Sequence, residues 1–153
     1  MMDIEARLKE LGITLPAPPA PVAAYVPFTV SGKQVFIAGQ LPLVDGKLQF
    51  PGQLGGTVSL EDGQAAARIC AINVLAQLKA ACGDLSRVKA CLKLGVFISA
   101  TADFTQHPEA ANGASELIAA VLGEAGKHAR SSVGVPSLPR GAAVEVDAVF
   151  ELA

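Results

Sequence analysis

The chain has 153 residues, 51% of them apolar and 17% charged. It can bury roughly two thirds of its unfolded surface in one core, so one domain over residues 1–153 is expected, and collagen, coiled coil and bulk disorder are excluded. Twelve Lys and Arg against 14 Asp and Glu give a net charge of −2, with six Phe, one Tyr and no Trp. Neither the cation stripe that phosphates require nor a base-stacking platform is present, so no nucleic-acid partner is expected. The low charge and the mean hydropathy of +0.43 predict that part of the surface meets another subunit.

Ile4, Leu8 and Leu11 recur at helical spacing, Glu5 stands four residues before Lys9, and Gly12 follows, which predicts a short amphipathic helix. With these charges and no apolar run before a small-residue cleavage site, no secretory leader is expected. The run Leu11 to Gly32 is uncharged, but prolines 16, 18, 19, 21 and 27 exclude a membrane helix, and no membrane partner is expected. Leu15 to Val22 reads as an extended arm, so residues 1–22 form a helix and arm before a core at 24–152. Tyr25 to Val30 should pair with Gln34 to Ala38 across Ser31-Gly32-Lys33, and Val44-Asp45-Gly46-Lys47 repeats the turn signal.

Ser59 with Asp62 resembles a capping box, and Gly83 closes a proline-free helix from Leu60 to Cys82. Only a strip near Glu61, Arg68 and Lys79 is polar, so this helix packs on more than one side. Val88, Ala90, Leu92, Leu94, Val96 and Ile98 then alternate with Lys89, Cys91, Lys93, Gly95, Phe97 and Ser99, a strand with one buried face. Arg87, Lys89 and Lys93 would share its solvated face. Pro108 opens a second helix with Ala114, Leu117, Ile118, Val121 and Leu122 in one stripe and Gly126 at its end. Arg130 to Val135 is a strand, Pro136 to Gly141 a turn, and Val144 to Phe150 a final alternating strand. The order ββαβαββ predicts an α+β fold, a mixed sheet with both long helices on one face and another copy of the chain on the other.

Cys70, Cys82 and Cys91 are odd in number and fit neither a disulfide framework nor zinc spacing, so they read as small core residues in a reducing cytoplasm. His107 and His128, 21 residues apart, have no ligands at metal spacing and read as surface histidines. Arg130 and Glu145 are a different matter. A guanidinium fork holds a carboxylate by two parallel bonds, and a carboxylate nearby orients or deprotonates water. If their strands pair, the two side chains meet, although an ordinary cross-strand ion pair is the commoner meaning of such a pattern.

The run Arg130-Ser131-Ser132-Val133-Gly134-Val135-Pro136-Ser137-Leu138-Pro139, with Gly141 and Val144-Glu145-Val146 beyond it, resembles the signature of the RidA/YjgF/endoribonuclease L-PSP family. Tyr25, the strand Val35-Phe36-Ile37-Ala38-Gly39-Gln40-Leu41-Pro42 and the helix with Asn73 and Leu78 extend the resemblance from about Ala24 to Leu152. It implies a chorismate-mutase-like fold, a homotrimer with clefts between subunits, and an enamine/imine deaminase that hydrolyses 2-imino acids to 2-keto acids and ammonia without metal or organic cofactor. By the same resemblance Arg130 grips the substrate carboxylate and Glu145 holds the water. Tyr25, Gly39, Asn112 and Ser132 line the cleft, with Ser132 standing where many members have cysteine. The alternative is a non-catalytic small-carboxylate binding protein, ahead of a ribonuclease or translation inhibitor.

Overall fold

The structure, a computed structural model, describes residues 3–21 and 23–153. Helix α1 (Ile4–Glu10) is capped by Asp3, whose carboxylate accepts from the Ala6 N–H at 3.2 Å, and the chain leaves it at Gly12 with φ +70°. The Glu5–Lys9 pair expected along this helix is replaced by a longer-range one, Glu5 to Lys79 at 3.0 Å, which ties α1 to the body of the protein. Residues 13–21 form neither helix nor strand, as their prolines dictate. Val22, the end of the expected arm, lies outside the described residues. The Pro19 carbonyl accepts from Gln77 Nε2 at 2.8 Å and tethers the arm.

Strand β1 (Phe28–Ser31) starts three residues later than Tyr25, because Pro27 has no N–H to enter a ladder. It turns through Gly32 into β2 (Gln34–Gln40). The short hairpin of β3 (Leu43–Val44) and β4 (Lys47–Leu48) turns on Asp45 and Gly46 at φ +51° and +76°, the left-handed pair that matches strand twist. Helix α2 (Leu60–Cys82) has the expected bounds. Ser59 Oγ accepts from the Asp62 N–H at 3.1 Å, and Gly83 terminates the helix. Apolar enough to cross a membrane by composition, α2 is instead the mostly buried core helix, packed on α3 and on β7 and β2.

Strand β5 (Val88–Ser99) also keeps its predicted bounds, but its strict alternation fails in the first half. Register shifts against β7 between Val88 and Ala90 and between Cys91 and Lys93 turn Cys91 into the core and leave Ala90 and Leu92 half-buried. Arg87 ends a 3-10 turn before the strand and donates to the Cys82 carbonyl at 2.9 Å, so it shares no strand face with Lys89 and Lys93. The three cysteines are free and buried. Burial pushes the Cys91 thiol up to about 12 and raises that of Cys70, which suits core residues rather than nucleophiles. Helix α3 (His107–Leu122) ends at Gly123 instead of Gly126, with a 3-10 turn over Gly123–Gly126 before β6 (Ala129–Val135). Strand β7 (Val144–Leu152) alternates as its sequence predicts.

The sheet runs β1-β2-β7-β5-β6, with only β6 against β5 parallel. Both long helices lie on one face. On the other, Phe36 and Val133 are 41% and 47% exposed, with Phe97 and Val149 half-buried. The placement corrects one expectation directly: β5 lies between β6 and β7, so the strands of Arg130 and Glu145 do not pair.

Candidate functional site

Arg130 stands on the edge strand β6 in register with Leu94, a core residue, so it shares the helix-side face and meets α3. Its Nη1 donates to Asn112 Oδ1 at 2.8 Å and to Ser115 Oγ at 3.1 Å, and its Nη2 donates to the Pro108 carbonyl at 3.4 Å. Residues 108, 112 and 115 occur at i, i+4 and i+7, one stripe of a helix. Ser115 Oγ is in turn 2.8 Å from His128 Nε2, and His128 Nδ1 is 2.6 Å from the Gly126 carbonyl. A carbonyl only accepts, so Nδ1 carries a proton, and in the neutral ring Nε2 then accepts from the Ser115 hydroxyl, whose oxygen accepts from Arg130. Ser132, two residues along β6, lies half-buried on the same face.

Glu145 occupies the opposite face. Its partner across β5 is Phe97, and on the β2 side it lies against Gly39, where an added Cβ would stand 2.9 Å from the Glu145 Cδ. Gly39 falls where the β2–β7 register shifts between Ile37 and Gln40. The bulge and the missing side chain together let the carboxyl pack down on the sheet. Burial, and then the neighbouring Asp147 carboxylate, raise the Glu145 pKa; burial raises that of Asp147 too. Tyr25, 47% exposed, lines a cavity of about 40 Å³ with Pro27, Gly39, Gln40 and Gln77.

The expected site residues thus fall into two groups. Arg130, Asn112 and Ser132 are together beside α3, while Tyr25, Gly39 and Glu145 are together around β2 and β7. Two strand spacings and three residues along the strands, each roughly 10 Å, together with the thickness of the sheet, separate Arg130 from Glu145. Among the described residues neither belongs to an ion pair. Ser115 and His128 were not expected in the site, and His128 is a half-buried link behind Arg130 rather than a surface histidine. Their signal was spacing: Ser115 follows Asn112 by three on a helix, and His128 stands two residues before Arg130, just ahead of the strand.

A family model described as "YjgF/chorismate_mutase-like, putative endoribonuclease" matches residues 5–152. The chain belongs to this family. It is 51% identical to Protein TCP17 of Trypanosoma cruzi over 97% of its own length and 94% of the relative's. The solved structure of Atu1372, a protein of unknown function from Agrobacterium tumefaciens, is similar at 49% identity and a TM-score of 0.92, covering 98% of this chain and 92% of that one. A Shewanella oneidensis structure described as a putative endoribonuclease reaches a TM-score of 0.96 at 37% identity, over 99% and 100% of the two chains. Family membership and the sheet with helices on one face agree with the reading of the Arg130 and Gly39-Gln40 blocks.

Proposed function

We propose that the protein is an enamine/imine deaminase that hydrolyses 2-imino acids to 2-oxo acids and ammonia, in clefts formed where copies of the chain meet in a cytoplasmic homotrimer. The observation that carries this is a half-buried Arg130 with no carboxylate beside it. Three of the five guanidinium N–H groups are engaged, which leaves capacity on Nε and Nη2 for a substrate carboxylate. Asn112 and Ser115 hold the fork in place, so little order is lost on binding. A second copy with its Glu145, Gly39 and Tyr25 facing Arg130 would supply the carboxylate that Arg130 lacks, and the exposed Phe36 and Val133 on the outer face would be covered by the same assembly.

The chemistry needed is modest, because a protonated imine carbon is already electrophilic. Ionised Glu145 accepts a proton from water as the new C–O bond forms, giving a carbinolamine. The proton passes from Glu145 to the nitrogen, the C–N bond breaks and ammonia leaves as the carboxylate takes the hydroxyl proton and the carbonyl forms. A raised carboxyl pKa makes Glu145 a stronger base than an exposed glutamate. The test generates 2-iminopropanoate and 2-iminobutanoate with an amino-acid oxidase in the presence of semicarbazide. Wild type should suppress the semicarbazone and Arg130→Ala should not; equal semicarbazone from both would contradict the proposal.

A second reading, a small-carboxylate binding protein without turnover, is favoured by Arg130 and the Asn112 and Ser115 that hold it all lying within one chain. It predicts 2-oxo acid binding with no rate above background. The endoribonuclease description borne by the Shewanella relative finds little support in a net charge of −2.

A further inference from the structure

Four residues along β6 from Arg130, Gly134 enters the lining of a cavity of about 580 Å³ together with Gln53, Thr101, Phe104, His107 and Pro136. Arg130, Ser132 and Gly134 alternate on one face of the strand. Ser132 is half-buried and Gly134 exposed. The His107 ring lies directly on the strand: a Cβ at Gly134 would be 2.5 Å from His107 Nε2. The backbone of Gly134 is not left-handed, so close approach, rather than a turn, is what glycine serves here.

We propose that this cavity is a side-chain pocket for large, flat, aromatic 2-imino and 2-oxo acids. The proposal rests on Arg130 holding the substrate carboxylate. No charged side chain lines the cavity, which selects a neutral occupant. Phe104 and His107 meet edge to face, with ring centroids 5.2 Å apart and planes at 78°, an arrangement a third ring extends. Gln53 is fixed by donating to the Pro136 and Ala100 carbonyls at 2.7 and 3.4 Å, which leaves its amide oxygen as an acceptor. Four residues of strand, about 13 Å, separate Arg130 from Gly134. Arg130 closes part of that span by reaching the carbonyl of Pro108, the residue after His107. A methyl or ethyl side chain on a carboxylate held at Arg130 covers little of that span, whereas a ring attached to the third carbon extends further along it.

Calorimetry on the full-length protein with 2-oxo-3-phenylpropanoate and 2-oxobutanoate, two stable product probes, tests this. Wild type should bind the aromatic acid at least about tenfold tighter. His107→Ala, and Gly134→Ala, whose new Cβ displaces the imidazole, should each reduce that preference to near parity and leave 2-oxobutanoate within about twofold of wild type. Parity in wild type, or a preference that survives both substitutions, would overturn the pocket while Arg130→Ala still weakened both acids. Should Arg130→Ala leave 2-oxobutanoate binding intact, the carboxylate clamp itself fails and the pocket falls with it.

Discussion

Half-burying a guanidinium is unfavourable unless its donors are met, and Arg130 is met on Nη1 by Asn112 and Ser115 with His128 behind them. Ser115→Ala removes one acceptor and the link to His128, so we expect a KM increase of about tenfold with kcat little changed, as steady-state kinetics on an imino acid would show. Glu145 carries the pH dependence. Burial and Asp147 raise its pKa, and the ionised form is the working base, so activity rises with pH through a limb above the ordinary glutamate range. Asp147→Asn removes the repulsion, and the acid limb of kcat/KM should move to lower pH; an unmoved limb would contradict the assignment. The stability effect has the matching sign. A raised carboxyl pKa favours the folded state below the unfolded pKa, and this is lost as pH rises through the folded value. Thermal melts should therefore show Asp147→Asn gaining on wild type as pH increases. Arg130, Glu145, Asn112 and Ser132 were legible as residues of a family signature, but which face each occupies was not, because facing depends on a strand order that inserts β5 between β6 and β7.

Elements whose signals are local matched the sequence well. Leu60–Cys82 was bounded by a capping serine and a terminal glycine, and Ser59→Ala should lower stability by about 1 kcal/mol in denaturant melts. What the sequence concealed was long-range. The bulges that turn Cys91 inward depend on pairing with β7, and the late start of β1 depends on a ladder that Pro27 enters only through its carbonyl, which accepts from the Ala38 N–H at 2.9 Å. Gly113 is a further case. Within a helical stripe it reads only as a weak helix former, yet a Cβ there would collide with the Gln64 carbonyl where α2 and α3 cross. Gly113→Ala should push the helices apart and cost about 1–3 kcal/mol, despite the better helix propensity of alanine. A rise in Tm would show that the crossing is looser than its geometry implies.

At the scale of the whole molecule, one chain holds the two halves of the candidate site on opposite faces of its sheet, and the proposed function requires that halves from different copies meet. The sheet face bearing Phe36, Phe97, Val133 and Val149 is apolar where Glu145 and Asp147 leave room, and covering it is the simplest use of that surface. Light scattering should give three times the 15.6 kDa chain mass, and Val133→Asp should shift it toward one chain and abolish turnover while far-UV circular dichroism is retained.

The central claim, that Arg130 of one copy works with Glu145 of another, is tested most directly by complementation. Arg130→Ala and Glu145→Gln chains, each inactive alone, are unfolded together, refolded as a mixture and assayed for imine hydrolysis. Random mixing in equal amounts should restore roughly a quarter of wild-type activity, since that share of clefts inherits both intact residues. A mixture as inactive as its components, with mixed oligomers shown to be present, would place both residues in one chain's site and contradict the account.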